Sequence, residues 1–345
     1  MRLLLIKTSS LGDIIHTFPA VTDALKAHPQ LQIDWVVEES FKEVPRWHPA
    51  VHRVIPVAFR RWKKAPLKAF LSGEWQEFKQ RIQQHAYDYI IDAQGLLKSA
   101  ILSKLAQGPR YGLDRKSARE PLASIFYRHP LTVARNRHAV ERLREMFAQV
   151  FCYDYHPTEV DYGLSLQKLE RPILFNAEEP YLVFLHGTTW ATKHWPEDYW
   201  QELAKQATAS GYRVYLPWGD EIEKARAERI AACSMRCQVL SKLNLSNLAF
   251  ILAQARGVVA VDTGLGHLAA ALNVPTLSLY GPTDPRLTGT YGHKQKHLSM
   301  DFECAPCLNR ICHYSGSKVS NPPCFSTKEP AAVWENLAQL LDVNY

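Results

Sequence analysis

The sequence lacks the long apolar runs that cross a membrane. Its apolar runs, such as 258–261, are all far shorter than the ~20 residues that a spanning helix needs. Four apolar residues follow Arg2, and then Lys7 interrupts them with no small-residue cleavage site of a signal peptide. We therefore expect a soluble, cytoplasmic protein.

Acidic residues are outnumbered by basic ones. The chain has 34 Asp and Glu against 41 Lys and Arg, a formal net charge of +7. Hydrophobic residues make up 46% and charged residues 22%, which excludes a wholly disordered or collagen-like chain. The positive excess favours an acidic partner: nucleic acid, an anionic membrane face or a phosphorylated small molecule.

Cysteine is also sparse, with an odd count of seven, and in a cytoplasmic chain most should be thiols. Four lie in the tail, at Cys304, Cys307, Cys312 and Cys324, with His313 nearby. Four thiols at these spacings could bind zinc or iron, but only the first pair has the tight spacing of metal sites. Reduced structural cysteines are the favoured interpretation, and we assign no metal.

No repeats or low-complexity tracts interrupt the 345 residues, whose length predicts two domains. Strand patterns occur at 2–7, 31–37, 53–57, 87–92, 181–186, 212–217, 257–261 and 275–280. Helical patterns occur at 14–27, 74–85, 96–105, 138–151, 196–210, 221–232, 244–255 and 264–272. Such alternation predicts an α/β protein with two doubly wound domains. We place them at 1–165 and 181–327, with a linker at 166–180 and a closing helix at 328–345.

Ligands of doubly wound sheets bind beyond the carboxyl ends of the strands. After the first strand, Ser10, Gly12 and Asp13 stand at the start of a helix, where anions are favoured. Asp13 is interpreted either as the helix N-cap or as a catalytic carboxylate at the mouth of a cleft, and spacing alone favours the cap. The segment has neither a dinucleotide fingerprint nor a P-loop.

In the second half, Asp262, Thr263, Gly264 and His267 lie between a strand and a helix. Because Gly264 and Gly266 are costly in a first helical turn, we favour a phosphate site there over a capped helix with a buried histidine.

Three further residues follow the first strand of that half. Thr188, Thr189 and Lys193 fit the diphosphate of a nucleotide sugar, with an exposed loop lysine as the alternative interpretation. Glu223, after the next strand, could accept from ribose hydroxyls or be an ordinary acid at a helix start.

Basic residues are frequent in the first half. They include Arg60, Arg61, Lys63, Lys64, Lys98, Arg119 and His138. A solvated surface is the usual explanation of such a group. The neighbouring Trp62 makes nucleic-acid binding conceivable, but cations at strand ends fit an acidic, phosphorylated small ligand equally well.

Taken together, several segments resemble one family. They are KTSSLGD (7–13), WVVEE (35–39), RRW (60–62), IDAQGL (91–96), AREPLAS (118–124), KHWP (193–196), LPWG (216–219), VDTGL (261–265) and YGPTDP (280–285). These segments occur in this order over positions 1 to about 290. Together they resemble the ADP-heptose:lipopolysaccharide heptosyltransferases of glycosyltransferase family 9.

The resemblance implies the GT-B architecture, in which two Rossmann-like domains face each other across a cleft and a C-terminal helix crosses back. It implies inverting transfer of L-glycero-D-manno-heptose from ADP-heptose to Kdo of Kdo-lipid A, in the lipopolysaccharide inner core. No cofactor and no nucleic acid are implied, and the enzyme would bind the cytoplasmic face of the inner membrane peripherally. The alternatives are another acceptor, such as a phosphorylated Kdo, and a nucleotide-sugar epimerase of the same architecture.

The resemblance also implies roles for the residues. Asp13 would be the general base. The donor would be held by Thr188, Thr189, Lys193, Glu223, Asp262, Thr263, Gly264 and His267. The acceptor would be held by Ser10, Gly12, Arg60, Arg61, Lys63, Lys64, Lys98, Arg119 and His138. The tail cysteines depart from the family pattern and leave the acceptor variant open.

Overall fold

A computed structural model describes residues 1–65, 71–173, 175, 178–316 and 322–342. The chain divides into two compact units, 1–168 and 169–345. Residues 174, 176 and 177 of the predicted linker, and 343–345 of the predicted closing helix, lie outside the described residues. The domain limits inferred from the sequence stay a prediction.

The first unit contains a six-stranded parallel sheet. Its strands are β1 Arg2–Ile6, β2 Gln32–Glu38, β3 Val51–Val57, β4 Tyr89–Asp92, β5 Arg110–Leu113 and β6 His129–Leu131. Their spatial order is β3-β2-β1-β4-β5-β6, in which every pair is parallel. Central β1 is apolar on both faces because helices cover both sides, and Leu3 to Ile6 are fully buried.

The helices of this unit are α1 Leu11–Ile15, α2 Phe18–Ala27, α3 Phe59–Lys64, α4 Glu74–Gln83, α5 Leu97–Ser103 and α6 Ala139–Phe151. The single helix predicted at 14–27 was wrong in one respect, since α1 and α2 are separate. Pro19 stands in the first turn of α2. It has no N–H to donate to the carbonyl of Ile15, so it interrupts the hydrogen-bond ladder that would join α1 to α2.

The second unit repeats the same topology. Its strands are β7 Tyr181–Leu185, β8 Arg213–Leu216, β9 Cys237–Val239, β10 Gly257–Val261, β11 Thr276–Tyr280 and β12 Gln295–Ser299. Their order is β12-β11-β10-β7-β8-β9, again all parallel. The core on this sheet includes the fully buried Phe184, Trp200 and Phe325.

The helices of the second unit are α7 Glu197–Ala209, α8 Glu221–Ala231, α9 Leu245–Ala253, α10 Gly264–Ala271, α11 Pro285–Thr288 and α12 Pro330–Asp342. The closing helix α12 packs on α7, β10 and β11. Leu341 lies so close to Gly257 that a β-carbon there would stand 2.8 Å from its Cδ2 atom. This glycine therefore lets the closing helix lie directly on β10.

The doubly wound α/β class predicted from the alternating pattern is confirmed. Strands β5, β6, β9 and β12 were not predicted, because they are short or partly exposed and lack an apolar run. In the part of the chain that the structure describes, none of the helices combines the length and the apolar character needed to cross a membrane.

Candidate functional site

Each sheet reverses its strand order at one point. In the first unit, β1 lies between β2 and β4, and in the second unit β7 lies between β8 and β10. At such a switch point the loops from adjacent strands run to opposite faces and leave a crevice for ligands. The predicted residues 10–13 follow β1, whereas 188–193 and 262–264 follow β7 and β10. In both units, the predicted site residues therefore follow the strands that flank the switch point, where ligands of such sheets bind.

In the second unit, Lys193 and Asp262 form an ion pair with 2.6 Å between Nζ and Oδ2. The Thr283 hydroxyl donates to the same carboxylate oxygen at 2.7 Å. The lysine and aspartate side chains are 13% and 10% exposed, so both are largely withdrawn from solvent. This geometry holds one ammonium group in a fixed position at the ends of β7 and β10.

The same carboxylate also interacts with His267, whose Nε2 lies 3.8 Å from the Asp262 Oδ1. Burial by itself would raise the pKa of the Asp262 carboxyl. The hydrogen bond from His267 and the charge of Lys193 outweigh burial and hold that pKa well below its ordinary value. Asp262 is therefore ionised across the physiological pH range.

The other predicted residues of this site lie on the same strand ends. The Thr188 hydroxyl donates to the backbone oxygen of Asp262 at 3.0 Å and ties the two loops together. Thr189 is exposed in the loop after β7. Thr263 is the N-cap of α10, and Gly264 is its first residue. The N–H groups of a first helical turn lack carbonyl partners four residues earlier and attract anions.

Gly266 has a structural role in the packing of α10. A β-carbon there would lie 3.3 Å from the Ala260 side chain, so this glycine permits α10 to pack closely on β10. Packing between helix and strand is thus one reason for a glycine at this position, and the phosphate site at 262–264 stays a prediction.

Glu223 lies at the ends of β7 and β8. Its carboxylate accepts from the Gly219 N–H at 2.8 Å, and its own N–H donates to the N-capping Asp220 at 2.9 Å. A β-carbon at Gly187 would stand 2.5 Å from the Glu223 Oε1, so only glycine leaves room for the carboxylate. Hence Glu223 has a defined position after β8, with lone pairs left for a hydroxyl donor.

Sequence reasoning missed His194 and Arg226. Arg226 Nη1 lies 2.5 Å from His194 Nδ1, beside the loop that carries Lys193. Burial, and then Arg226, lower the pKa of His194. The KHWP segment contained the histidine, but no local signal pairs it with an arginine 32 residues later.

In the first unit, Ser10 is the N-cap of α1 and Asp13 is three residues further on. The Asp13 Oδ2 atom accepts from the Ser10 N–H at 2.7 Å and from its hydroxyl at 2.9 Å. Asp13 is therefore not the N-cap residue, which is Ser10, but its carboxylate completes the capping box of α1. Its side chain is 37% exposed, so the carboxylate remains accessible.

Lys7 was also missed. It is 6% exposed, its ammonium donates to the Ala93 carbonyl at 2.8 Å, and Nζ lies 3.9 Å from Asp13 Oδ1. Burial lowers the pKa of Lys7, whereas Asp13 and Asp92 oppose that shift. A lysine directly after an apolar central strand was the signal for it.

The loop after β4 supports this arrangement. Gln94 Oε1 accepts from the N–H groups of Thr8 and Ser9 at 2.9 and 3.2 Å. Asp92 is fully buried and accepts from the Tyr127 hydroxyl at 2.7 Å. Two loops from adjacent strands are thereby fixed to each other. Gly12 is buried within α1, and its carbonyl accepts from the His16 N–H at 2.8 Å.

The predicted basic residues occupy several environments. Arg60 lies 5.5 Å from the Phe41 ring and Lys98 lies 5.5 Å from the Phe59 ring. Arg61 forms ion pairs with Glu39 and Glu74 at 3.0 and 2.7 Å. The structure thus offsets the charge of Arg61 with two carboxylates.

The remaining basic residues are also separate. Lys63 and Lys64 are exposed in α3, and Arg119 is exposed and contributes to the lowered pKa of Lys7. His138 is buried and caps α6, where its Nδ1 accepts from the Val140 N–H at 3.2 Å. His138 therefore caps a helix, and its role in binding the acceptor stays a prediction.

The four tail cysteines are free thiols in the second unit. Burial raises the pKa of the Cys324 thiol to about 11, with further contributions from Cys304, Cys307 and Cys312. All four cysteines line the same cavity.

Comparison with known proteins shows the family of this chain. The model of "Glycosyltransferase family 9 (heptosyltransferase)" matches residues 75–318. The lipopolysaccharide heptosyltransferase 1 of Pseudomonas aeruginosa is 54% identical over 99% of this chain and 98% of its own length. The structure of E. coli heptosyltransferase WaaC with ADP covers 99% of this chain and 100% of its own, at TM-score 0.87 and 44% identity. The same enzyme with ADP-2-deoxy-2-fluoro heptose gives TM-score 0.83 and 43% identity, with full coverage of both chains.

Proposed function

The chain belongs to glycosyltransferase family 9 and has its GT-B type of fold, and from this premise we propose that it transfers L-glycero-D-manno-heptose from ADP-heptose to Kdo of Kdo-lipid A. The observation that carries the proposal is its similarity, along nearly its whole length, to a lipopolysaccharide heptosyltransferase 1. The step belongs to assembly of the lipopolysaccharide inner core.

The donor site lies at the switch point of the second unit. Lys193 and the first turn of α10 supply positive charge where the diphosphate leaves, and Thr188 adds a hydroxyl close to them. Glu223 accepts from the ribose hydroxyls after β8. The donor site is completed by Thr189, Asp262, Thr263, Gly264 and His267. Lys193 and the N–H groups of α10 stabilise the negative charge that develops on the leaving ADP, and we assign no metal to the reacting atoms.

Asp13 is the general base of the first unit. Its carboxylate takes the proton of the acceptor hydroxyl as that oxygen forms a bond to the anomeric carbon. The bond from the anomeric carbon to the diphosphate oxygen breaks in the same displacement, and ADP carries away the electron pair. The stereochemistry inverts because the attack occurs opposite the leaving group. Ser10 holds the carboxylate in place.

The acceptor carries carboxylates and phosphates, which cationic side chains bind. The acceptor site lies in the first unit and consists of Ser10, Gly12, Arg60, Lys63, Lys64, Lys98, Arg119 and His138. Arg61 contributes less to this site because two glutamates offset its charge. The net charge of +7 favours an anionic membrane surface. The enzyme works peripherally at the cytoplasmic face of the inner membrane, and its family implies no nucleic-acid partner.

The proposal is tested by incubating the full chain with ADP-heptose and defined acceptors. Kdo-lipid A, a species with two Kdo residues and a species with phosphorylated Kdo are compared by mass spectrometry of the glycolipid. Addition of one heptose to an unphosphorylated Kdo acceptor is expected. Heptose transfer to the phosphorylated species alone, or interconversion of the nucleotide sugar without transfer, would contradict the proposal.

A further inference from the structure

Four cysteines of the tail line one cavity of about 270 Å³ in the second unit. Three of them, Cys304, Cys307 and Cys312, are exposed or half-buried on a segment without helix or strand between 301 and 316. The fourth, Cys324, is buried, and its Sγ would lie 3.2 Å from a β-carbon at Gly281. One sulfur is thus fixed in the core, and three stand on a loop beside it.

We propose that Cys304, Cys307, Cys312 and Cys324 bind one divalent zinc or iron ion as a tetrathiolate site. The pair at 304 and 307 has the two-residue spacing that lets one turn of chain present two sulfurs to a metal. Two further thiols around the same cavity complete a tetrahedral set, and soft thiolates select zinc or iron over magnesium or calcium.

Binding requires the three loop thiols to move inward. Among the residues that the structure describes, no three thiol, imidazole or carboxylate groups yet surround one point closely enough to hold a metal. Because 301–316 contain no helix or strand, this inward movement breaks no hydrogen bonds of either kind. Each thiol gives its proton to solvent as it binds, and the metal keeps its oxidation state, so no oxidant or reductant is needed.

The metal-binding segment also touches the loop that carries Lys193. The Thr192 hydroxyl donates to the Asn309 carbonyl at 2.7 Å, and the Leu308 N–H donates to the Pro282 carbonyl at 2.7 Å. The Arg310 guanidinium lies 5.0 Å from the Trp190 ring, and Lys193 Nζ lies 4.3 Å from the same ring. A metal that orders this segment therefore steadies Lys193, a consequence that rests on the proposed function.

The site is tested on the full chain, produced with zinc and iron in the medium and purified under reducing conditions without chelator. Elemental analysis should find about one equivalent of zinc or iron, and Cys304→Ser or Cys307→Ser should retain under about a tenth. Both substitutions spare the buried Cys324, so the fold is kept. The control Cys152→Ser, an exposed thiol of the first unit, should retain the metal of the wild type.

Three results would overturn the site. The first is a metal content below about a tenth of an equivalent in the wild-type protein, even after reconstitution with zinc chloride. The second is a metal content in Cys304→Ser equal to that of the wild type. The third is a disulfide among the four cysteines, detected after rapid alkylation of the free thiols. None of them depends on heptose transfer. For the coupling to the donor loop, removal of the metal should weaken ADP binding about tenfold, or about 1.4 kcal/mol. Unchanged ADP affinity would overturn that coupling.

Discussion

Lys193 Nζ lies 2.6 Å from Asp262 Oδ2, and this contact joins the loops that follow two adjacent strands of the second sheet. The contact is largely buried, so the lysine is held in place before any ligand arrives. A preorganised ammonium group loses less side-chain entropy on binding a diphosphate than a mobile one does. The pairing explains why a lysine in a loop can serve as a fixed charge.

Replacement of this lysine should weaken donor binding. A hydrogen bond to a charged group contributes about 1.5–3 kcal/mol, so Lys193→Ala should raise the ADP dissociation constant by about tenfold to a hundredfold. Isothermal titration calorimetry measures the effect. The control is Lys205→Ala, an exposed lysine of α7 whose loss should leave the constant unchanged. If both variants bind ADP as the wild type does, Lys193 has no part in the site.

Substitution of the base should separate chemistry from binding. Asp13→Asn keeps an oxygen that accepts from Ser10 but cannot take a proton, so turnover should fall by about 10²–10⁴-fold. The ADP dissociation constant and the melting temperature should stay close to those of the wild type. Glu77→Gln, on the exposed face of α4, serves as the control and should turn over normally. Substantial turnover by Asp13→Asn would remove this carboxylate from the mechanism.

The role of Glu223 is tested with altered nucleotides. The wild-type protein should bind ADP more tightly than it binds 2′-deoxy-ADP or 3′-deoxy-ADP. The reason is that the Glu223 carboxylate accepts a hydrogen bond from a ribose hydroxyl that the analogue lacks. Glu223→Gln should bind ADP more weakly and should discriminate less between ADP and that analogue. Glu221→Gln, an exposed residue two positions earlier, should discriminate as the wild type does. A discrimination ratio that Glu223→Gln leaves intact would place the ribose elsewhere.

Arg60 and Arg61 are adjacent, but their charges are not equivalent. Glu39 and Glu74 already pair with Arg61, whereas the side chain of Arg60 lies over an aromatic ring. Arg60→Ala should therefore raise the KM for Kdo-lipid A several-fold more than Arg61→Ala does. The difference should shrink at high salt because screening weakens exposed charges. If Arg60→Ala and Arg61→Ala raise the KM equally, the ion pairs of Arg61 do not reduce its contribution to acceptor binding.

The sequence predicted the strands and helices that carry apolar patterns, and it placed the candidate site residues after strands, where the structure also has them. It could not predict that Lys193, Asp262 and Thr283 converge, because their pairing depends on strand order. Strand β12 was missed because its residues, QKHLS, are polar and partly exposed. Lys7 was missed because a buried lysine is explained only by the carbonyl and carboxylates that surround it.

A buried histidine of the first unit predicts that stability depends on pH. His48 is fully buried, and burial lowers its pKa from 6.5 to about 4. Its ring lies between the Thr22 hydroxyl and the Ala50 N–H, at 3.0 and 3.1 Å. Because the unfolded chain binds the proton more readily, the stabilisation is complete above about pH 6.5 and is lost as the pH falls toward 4.

Between pH 7 and pH 5 this histidine should account for a loss of about 2 kcal/mol in the free energy of unfolding. His48→Asn keeps an oxygen that can accept from Ala50 but cannot take up a proton in this range. It should be less stable than the wild type at pH 7 and lose less stability on acidification, as measured by urea unfolding. His52→Asn, at a largely exposed position, should keep the wild-type pH dependence. If His48→Asn and the wild type lose equal stability between these pH values, the proton is taken up elsewhere.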